Sequence, residues 1–223
     1  MSAAAATLVL LRHGEAEGNR ELRYLGSTDV PLTAVGEDQA RQLASALAQY
    51  PLDALYSSPL KRARWTAARI GETTGLRVTV EPALCEQEFG AWENRTRDEV
   101  KSATPEALAA WERGEAPPPG GESLDAVRAR VVALADRLAV SHAGQMMALV
   151  SHVGPIKALV AAALGLAPSG AYRMWLDTAS ICVVDWQAGG AEPSRGMLRV
   201  FNASAHLDPP ARWLRRARPS ELA

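Results

Sequence analysis

Arg12 and His13 stand side by side directly after a short apolar run, residues 7–11, and are followed by Gly14 and Glu15. An imidazole that is neutral near pH 7 can act as a nucleophile or carry a proton. The planar guanidinium beside it matches the oxygens of a phosphate group. The pair therefore suits phosphate chemistry, although most histidines at strand ends are simply packed or solvated. Arginine abundance adds nothing here. The 21 arginines against 3 lysines accompany an Ala-, Gly- and Arg-rich composition of the kind a GC-rich genome produces, so each arginine counts only by its position.

The elements that must hold these residues follow from pattern. Residues 7–11 are apolar without alternation, as in a strand buried on both faces of a parallel sheet. A Gly- and Asn-containing loop runs from Gly14 to Pro31. Thr33 then caps a helix whose Val35, Ala40, Leu43, Ala44 and Leu47 recur at helical spacing. Residues 54–56 form a second strand. Ser58 and Pro59 read as N-cap and first residue of a helix that carries Arg62 and stops near Gly75. A third strand at 78–80 precedes a helical segment at 96–111, a Pro/Gly loop at 116–121 and a long helix at 122–141. Residues 147–150 and 155–164 give another strand and helix. Late strands are expected at 175–176, 181–186 and 198–201, the last two as a hairpin across Gly189 and Gly190. Alternating strands and helices predict a three-layer α/β/α fold with a mostly parallel sheet and an antiparallel strand at its edge. Ligands of such sheets bind beyond the carboxyl ends of the strands.

Several runs, in order along the chain, resemble the signatures of the histidine phosphatase superfamily, which includes the cofactor-dependent phosphoglycerate mutases. They are Arg12-His13-Gly14-Glu15; Tyr24-Leu25-Gly26-Ser27-Thr28-Asp29-Val30-Pro31-Leu32-Thr33; Ser57-Ser58-Pro59-Leu60-Lys61-Arg62-Ala63; and Leu84-Cys85-Glu86-Gln87-Glu88-Phe89-Gly90-Ala91-Trp92-Glu93. Val150-Ser151-His152 and the later Asn202 and His206 complete the set, which spans residues 7–206. The resemblance implies a phosphoglycerate mutase-like fold and a site built from His13, Glu86, His152, Arg12 and Arg62. His13 would be the nucleophile. Arg12 and Arg62 would bind the phosphoryl group bidentately. His152 would stabilise charge on it, and Glu86, with Glu88 as a nearby rival, would be the general acid and base. Gly14, Asn19, Gly26 and Val153 complete the expected substrate-binding set, Gly14 by letting the backbone approach the phosphate and Asn19 by donating an amide hydrogen. Asn202 and His206 read as structural or rim residues, and Trp92 and Trp111 as candidates for a substrate mouth.

Two positions depart from the family pattern: Ala16 replaces a hydroxyl residue, and Val153 replaces a glycine. The Phe89-Gly90-Ala91-Trp92-Glu93 run is similar to the phosphatase branch, including α-ribazole phosphatases and broad-specificity sugar-phosphate phosphatases. Glu88 would add an acidic rim that disfavours a bisphosphorylated acid. A mutase remains the alternative, as does a catalytically silent phospho-ligand-binding module. The expected partner is a small phosphorylated metabolite, with no metal or other cofactor.

The formal net charge of -1 at pH 7 argues against nucleic-acid binding. No apolar stretch approaches the ~20 residues that span a bilayer, and the N-terminus lacks the basic region of a signal peptide. Cys85 and Cys182 form no close pair and are expected as free thiols in the cytoplasm. The reading is one domain over 1–223, with a helical cap insertion at about 92–122 and a flexible tail from about 209. The resemblance leaves room for a homodimer.

Overall fold

In the computed structural model, which describes residues 5–189 and 194–207, the opening apolar run is strand β1, Ala6–Arg12. Its side chains alternate between two cores. Leu8 and Leu10 join one buried cluster with Met147, Leu149, Val184 and Trp186. Val9 and Leu11 join the other, with Leu43, Leu55, Ile70 and Val150. Burial on both faces is why the sequence shows no polar alternation there.

The sheet contains β1, β2 (Ala54–Ser57), β3 (Val78–Val80), β4 (Met146–Ser151), β5 (Ile181–Gln187) and β6 (Arg195–Ala203), in the order β3-β2-β4-β1-β5-β6. The four strands from β3 to β1 are parallel; β5 runs antiparallel to β1, and β6 antiparallel to β5. Helices α1 (Ala34–Leu47) and α2 (Lys61–Thr74) cover one face, and α5 (Leu124–Ser141) and α6 (Val153–Ala163) cover the other. Two short helices, α3 (Arg97–Ala103) and α4 (Pro105–Glu112), lie between β3 and α5 in the chain. The expected three-layer α/β architecture is thus present. Among the described residues, no helix is long and apolar enough to cross a membrane.

Three local expectations need correction. The segment at 96–111 is two helices, because Pro105 cannot donate into a continuing helix and instead starts α4. Residues 175–176 are not a strand: the Leu176 carbonyl accepts from Arg12, and the next amide, at Asp177, donates to Asn202, so side chains take the place of ladder partners. Ser58 does not cap α2, which starts at Lys61 behind Leu60 with no side-chain cap. By contrast, Thr33 caps α1 through the Gly36 amide. The turn joining β5 to β6 at 190–193 and the expected tail from about 209 lie outside the described residues.

Candidate active site

β1 and β4 are neighbours in register, with Arg12 opposite Ser151, so His13 and His152 emerge together at their carboxyl ends. The two rings lie 5.0 Å apart between centroids. The His13 backbone is pinned from both sides: its amide donates to Ser151 and its carbonyl accepts from Ala179. Its Nδ1 lies 2.6 Å from the Gly14 carbonyl oxygen, which can only accept. Nδ1 therefore carries the hydrogen, and Nε2 of the neutral ring presents a lone pair. Burial, then Arg62 and Arg12, hold the His13 pKa well below its ordinary value. The ring is neutral at neutral pH.

Gly14 is required for a different contact from the one expected. A Cβ at Gly14 would collide with the Gly36 carbonyl, and a Cβ at Gly36 would collide with Glu15. Two glycines let the first turn of α1 press against the loop after His13.

Arg62, on the first turn of α2, is 1% exposed and spends most of its donors on protein. Nη1 donates to Thr28 O, Nη2 to Leu25 O and Gly26 O, and Nε to His152 Nδ1 at 3.2 Å. Since His152 Nδ1 accepts, its Nε2 carries the hydrogen and donates to Ser58 Oγ at 2.8 Å. Burial, followed by Arg62, keeps this ring neutral as well. Both nitrogens of His152 are thus engaged by protein, and the residue stands behind Arg62 rather than in the cavity wall.

The loop carbonyls that grip Arg62 are themselves fixed by Glu93. Its carboxylate accepts from the amides of Gly26, Ser27, Thr28 and Phe89 and from the Thr28 hydroxyl, the last at 2.6 Å. Partial burial works to raise this acid, but the bonds from Thr28, Phe89 and Ser27 outweigh it and hold the group below the usual carboxylate range. Gly26 is part of this clamp and does not line the cavity.

Glu86 is buried with its Oε1 facing the start of α6, where it accepts from Gly154 N at 2.9 Å and from its neighbour Gln87 N at 2.8 Å. Any Cβ at residue 154 would strike that oxygen. Burial raises the Glu86 pKa, and the Gln87 amide, Arg62 and Gly154 only partly oppose it. Arg12 donates Nη1 to Leu176 O, while its Nε is buried with no partner. Burial brings its guanidinium to about 10, so it stays charged at neutral pH. Lys157, one turn along α6, is lowered to about 8 by burial and by Arg12.

These groups surround a cavity of about 140 Å³ lined by Arg12, His13, Asn19, Arg62, Glu86 and Val153, together with Arg23, Tyr24, Leu25 and Phe89. Asn19 accepts from the Ala16 amide through Oδ1, which leaves Nδ2 as the end available to a ligand. Val153 stands in the wall, as its sequence position suggested. A larger apolar hollow of about 540 Å³ between α6 and β6 contains none of the titratable groups just described.

Other expectations move. Glu88 is exposed and Glu15 turns to Arg20 and Thr33, so neither lines the cavity. Trp92 and Trp111 do not form a mouth; they pack behind Tyr24, and Trp111 also meets Phe89. Asn202 and His206 are structural: the Asn202 amide holds Asp177, and His206 donates to the Ala179 carbonyl. Glu93, Gly154, Arg23 and Ser58 were not singled out as site residues. Glu93 and Ser58 lie within quoted motifs, but nothing in their types tells a clamp from a solvated acid or a helix cap.

The family model described as "Histidine phosphatase superfamily (branch 1)" matches residues 8–196. A Mycobacterium tuberculosis protein called a bifunctional protein is 40% identical over 202 residues, covering 90% of this chain and 54% of that protein; the chain thus spans about half the length of that relative. Phosphoserine phosphatase 1 of Hydrogenobacter thermophilus is 35% identical over 202 residues, covering 90% of this chain and 93% of that protein. Among solved structures, mycobacterial glucosyl-3-phosphoglycerate phosphatase in complex with VO3 superposes with a TM-score of 0.82 at 34% identity, covering 89% and 99% of the two chains.

Proposed function

The chain belongs to the histidine phosphatase superfamily, and from that premise we propose that it hydrolyses a small phosphate monoester through a phosphohistidine formed on His13. The observation that carries this reading is the bond from His13 Nδ1 to the Gly14 carbonyl. It leaves the Nε2 lone pair as the nucleophile of a neutral ring inside a cavity lined by three guanidinium groups, of Arg12, Arg23 and Arg62. The unpartnered Arg12 Nε supplies a donor for a phosphoryl oxygen, and charge-assisted bonds of this kind contribute about 1.5–3 kcal/mol each.

In the first step His13 Nε2 forms a bond to phosphorus as the bond from phosphorus to the ester oxygen breaks. Glu86, with Oε1 occupied by two amides, delivers a proton from Oε2 to the departing oxygen. Arg12, Arg62 and the Asn19 amide stabilise charge on the remaining oxygens. In the second step the Glu86 carboxylate takes a proton from water, the water oxygen bonds to phosphorus, and the N–P bond breaks. Phosphate leaves and both residues return to their starting states. The scheme calls for no metal ion. His152 acts by holding Nε of Arg62, and the helical cap at about 92–122 acts by bracing the Tyr24 and Phe89 wall.

Relatives named phosphatases support hydrolysis, and others named probable phosphoglycerate mutase make transfer between carbons the reading to test against it. The test is phosphate release from p-nitrophenyl phosphate and a panel of metabolite monoesters with EDTA present. Release that survives EDTA and disappears in His13→Ala supports the reading; release that survives His13→Ala sinks it. Isomerisation of 3-phosphoglycerate without net release would instead identify a mutase.

A further inference from the structure

Glu86 hangs from a short strap of chain, residues 83–88, and the strap is tied at its carbonyls. Leu84 O accepts from Ser151 Oγ at 2.7 Å, and Glu88 O accepts from the Glu122 amide at 2.8 Å. The carbonyls of Ala83 and Glu86 are both held by one side chain, Arg130, in the second turn of α5. Its Nη1 donates to Ala83 O at 2.7 Å and its Nη2 to Glu86 O at 3.1 Å. The other edge of the same guanidinium pairs bidentately with Glu122, Nε to Oε1 at 2.8 Å and Nη2 to Oε2 at 2.9 Å. Arg130 does not line the cavity.

No step of the reaction touches this arginine, yet its bond to Glu86 O falls at a sensitive place. The carbonyl of Glu86 and the N–H of Gln87 belong to one peptide plane. That N–H is one of the two donors on Glu86 Oε1, and Gly154 N is the other. A guanidinium fixed on the carbonyl therefore fixes the direction of the N–H across the plane, and with it the rotation of the carboxyl group. Gln87 is tied a second time, by its side-chain amide to the Glu122 carbonyl at 2.8 Å. The pair with Glu122 balances the charge of Arg130, so the arginine acts on Glu86 through geometry more than through charge. Released from Arg130, the plane can turn its N–H away from Oε1, and the carboxyl loses one of the two bonds that reserve Oε2 for the proton.

We propose that Arg130 is a positioning residue for the general acid: it sets the peptide plane between Glu86 and Gln87 and so aims the Glu86 carboxyl at the departing oxygen. A proton donor must lie within hydrogen-bond reach of that oxygen, and a misplacement of about 1 Å can cost about 10²-fold in rate. This inference rests on the assignment of Glu86 as the acid, and it extends the machinery of proton delivery to a residue outside the cavity.

Two esters and a double substitution test it. One ester is p-nitrophenyl phosphate, whose anion leaves without a proton; the other is the alkyl monoester that the wild type cleaves fastest. The quantity compared is kcat/KM, which reports the step that breaks the ester bond. Arg130→Gln should lower it by about 10–100-fold on the alkyl ester and by less than about threefold on p-nitrophenyl phosphate. Arg130→Lys should recover part of the loss, because one ammonium cannot span two carbonyls and the Glu122 carboxylate as the planar fork does. In Glu86→Gln protein, Arg130→Gln should cost the alkyl ester almost nothing further, since the two residues act as one unit. Circular dichroism and thermal melting verify folding. If Arg130→Gln does not fold, Arg130→Lys, which keeps a cation beside Glu122, carries both comparisons. Equal losses on the two esters, or the full loss repeated in the Glu86→Gln background, would show an arginine that only supports the fold and overturn the proposal. If Glu86→Gln alone slows the two esters equally, the acid assignment fails and this inference falls with it. A wild type that releases no phosphate from any ester sinks the phosphatase reading itself, and the inference with it.

Discussion

Glu93 holds Arg62 without bonding to it. The carboxylate accepts from the amides of Gly26, Ser27 and Thr28, and the guanidinium donates to the carbonyls of Leu25, Gly26 and Thr28, so one short loop is gripped from its two sides by opposite charges. Each charge meets the end of the peptide dipole that suits it.

Glu93→Gln is therefore expected to weaken phosphate binding from a distance. The amide retains one acceptor oxygen and loses the charge that several donors share. KM should rise about tenfold with a smaller change in kcat, consistent with the loss of one or two partly solvated charge-assisted bonds. Glu93→Asp should recover less than half of the loss, since the shorter chain cannot reach every amide. Steady-state kinetics on p-nitrophenyl phosphate, with circular dichroism to verify folding, would check it. An unchanged KM would mean that Arg62 keeps its place without the clamp.

If His13 is the nucleophile, a rapidly quenched reaction with labelled substrate should leave phosphorus on the protein. The linkage should survive base and be lost in acid, as a phosphoramidate is. His13→Ala should carry no label. Label that is stable to acid would point to an oxygen nucleophile.

The Glu86 proton matters in proportion to the basicity of the departing oxygen. Glu86→Gln should slow hydrolysis of an alkyl phosphate by about 10²–10⁴. The penalty on p-nitrophenyl phosphate, whose anion leaves without help, should be at least tenfold smaller than that. Equal penalties would remove Glu86 from the acid role. In the wild type, an alkaline fall in rate should follow the raised Glu86 pKa and therefore lie above the ordinary carboxylate range.

Stability should decline in mild acid for a nameable reason. His13 and His152 are neutral in the folded protein, with pKa values lowered first by burial and then by Arg62. Unfolded, they titrate near 6.5, so below that pH the unfolded chain binds more protons than the folded one. Folding stability contributed by the neutral rings is complete above about pH 6.5 and falls as pH drops toward the folded pKa values, by about 1.4 kcal/mol per pH unit per ring. Urea midpoints at pH 8, 6 and 5 should fall in that order, with a shallower decline in His152→Asn. A flat profile would show that the rings can charge without cost in the fold.

The sheet was legible because its signal is redundant: apolar runs at 7–11 and 147–150, each followed by an Arg-His or Ser-His pair, fix two adjacent strand ends. That His13, Arg12 and Arg62 come together in one cavity was legible because an Arg-His pair at a strand end and an arginine at the start of the next helix converge at the carboxyl edge of the sheet. What escaped was the direction of side chains. Ser58 has the composition of a helix cap, but in space it belongs to His152. Glu88 and Glu93 are both acids in one motif, yet one is exposed and the other gathers a loop around it. Residues 175–176 have strand-like composition, but Arg12 and Asn202 claim the backbone groups at Leu176 and Asp177. Sequence pattern reports which face an element buries; it does not report which of several polar neighbours wins a given donor.

The packing of Gly14 on Gly36 limits how this chain can change. Gly36 is buried in the first turn of a helix and is not itself in the cavity lining, so by its place in the chain it would be classed with ordinary helix glycines, where alanine is usually harmless or helpful. Here alanine must push α1 away from the Glu15 backbone, and the loop that carries His13 and Asn19 moves with it. In a saturation library selected for phosphate release, position 36 should be as intolerant as His13 itself. The boundary of the functional site, drawn by selection, would then extend past every residue that a substrate touches.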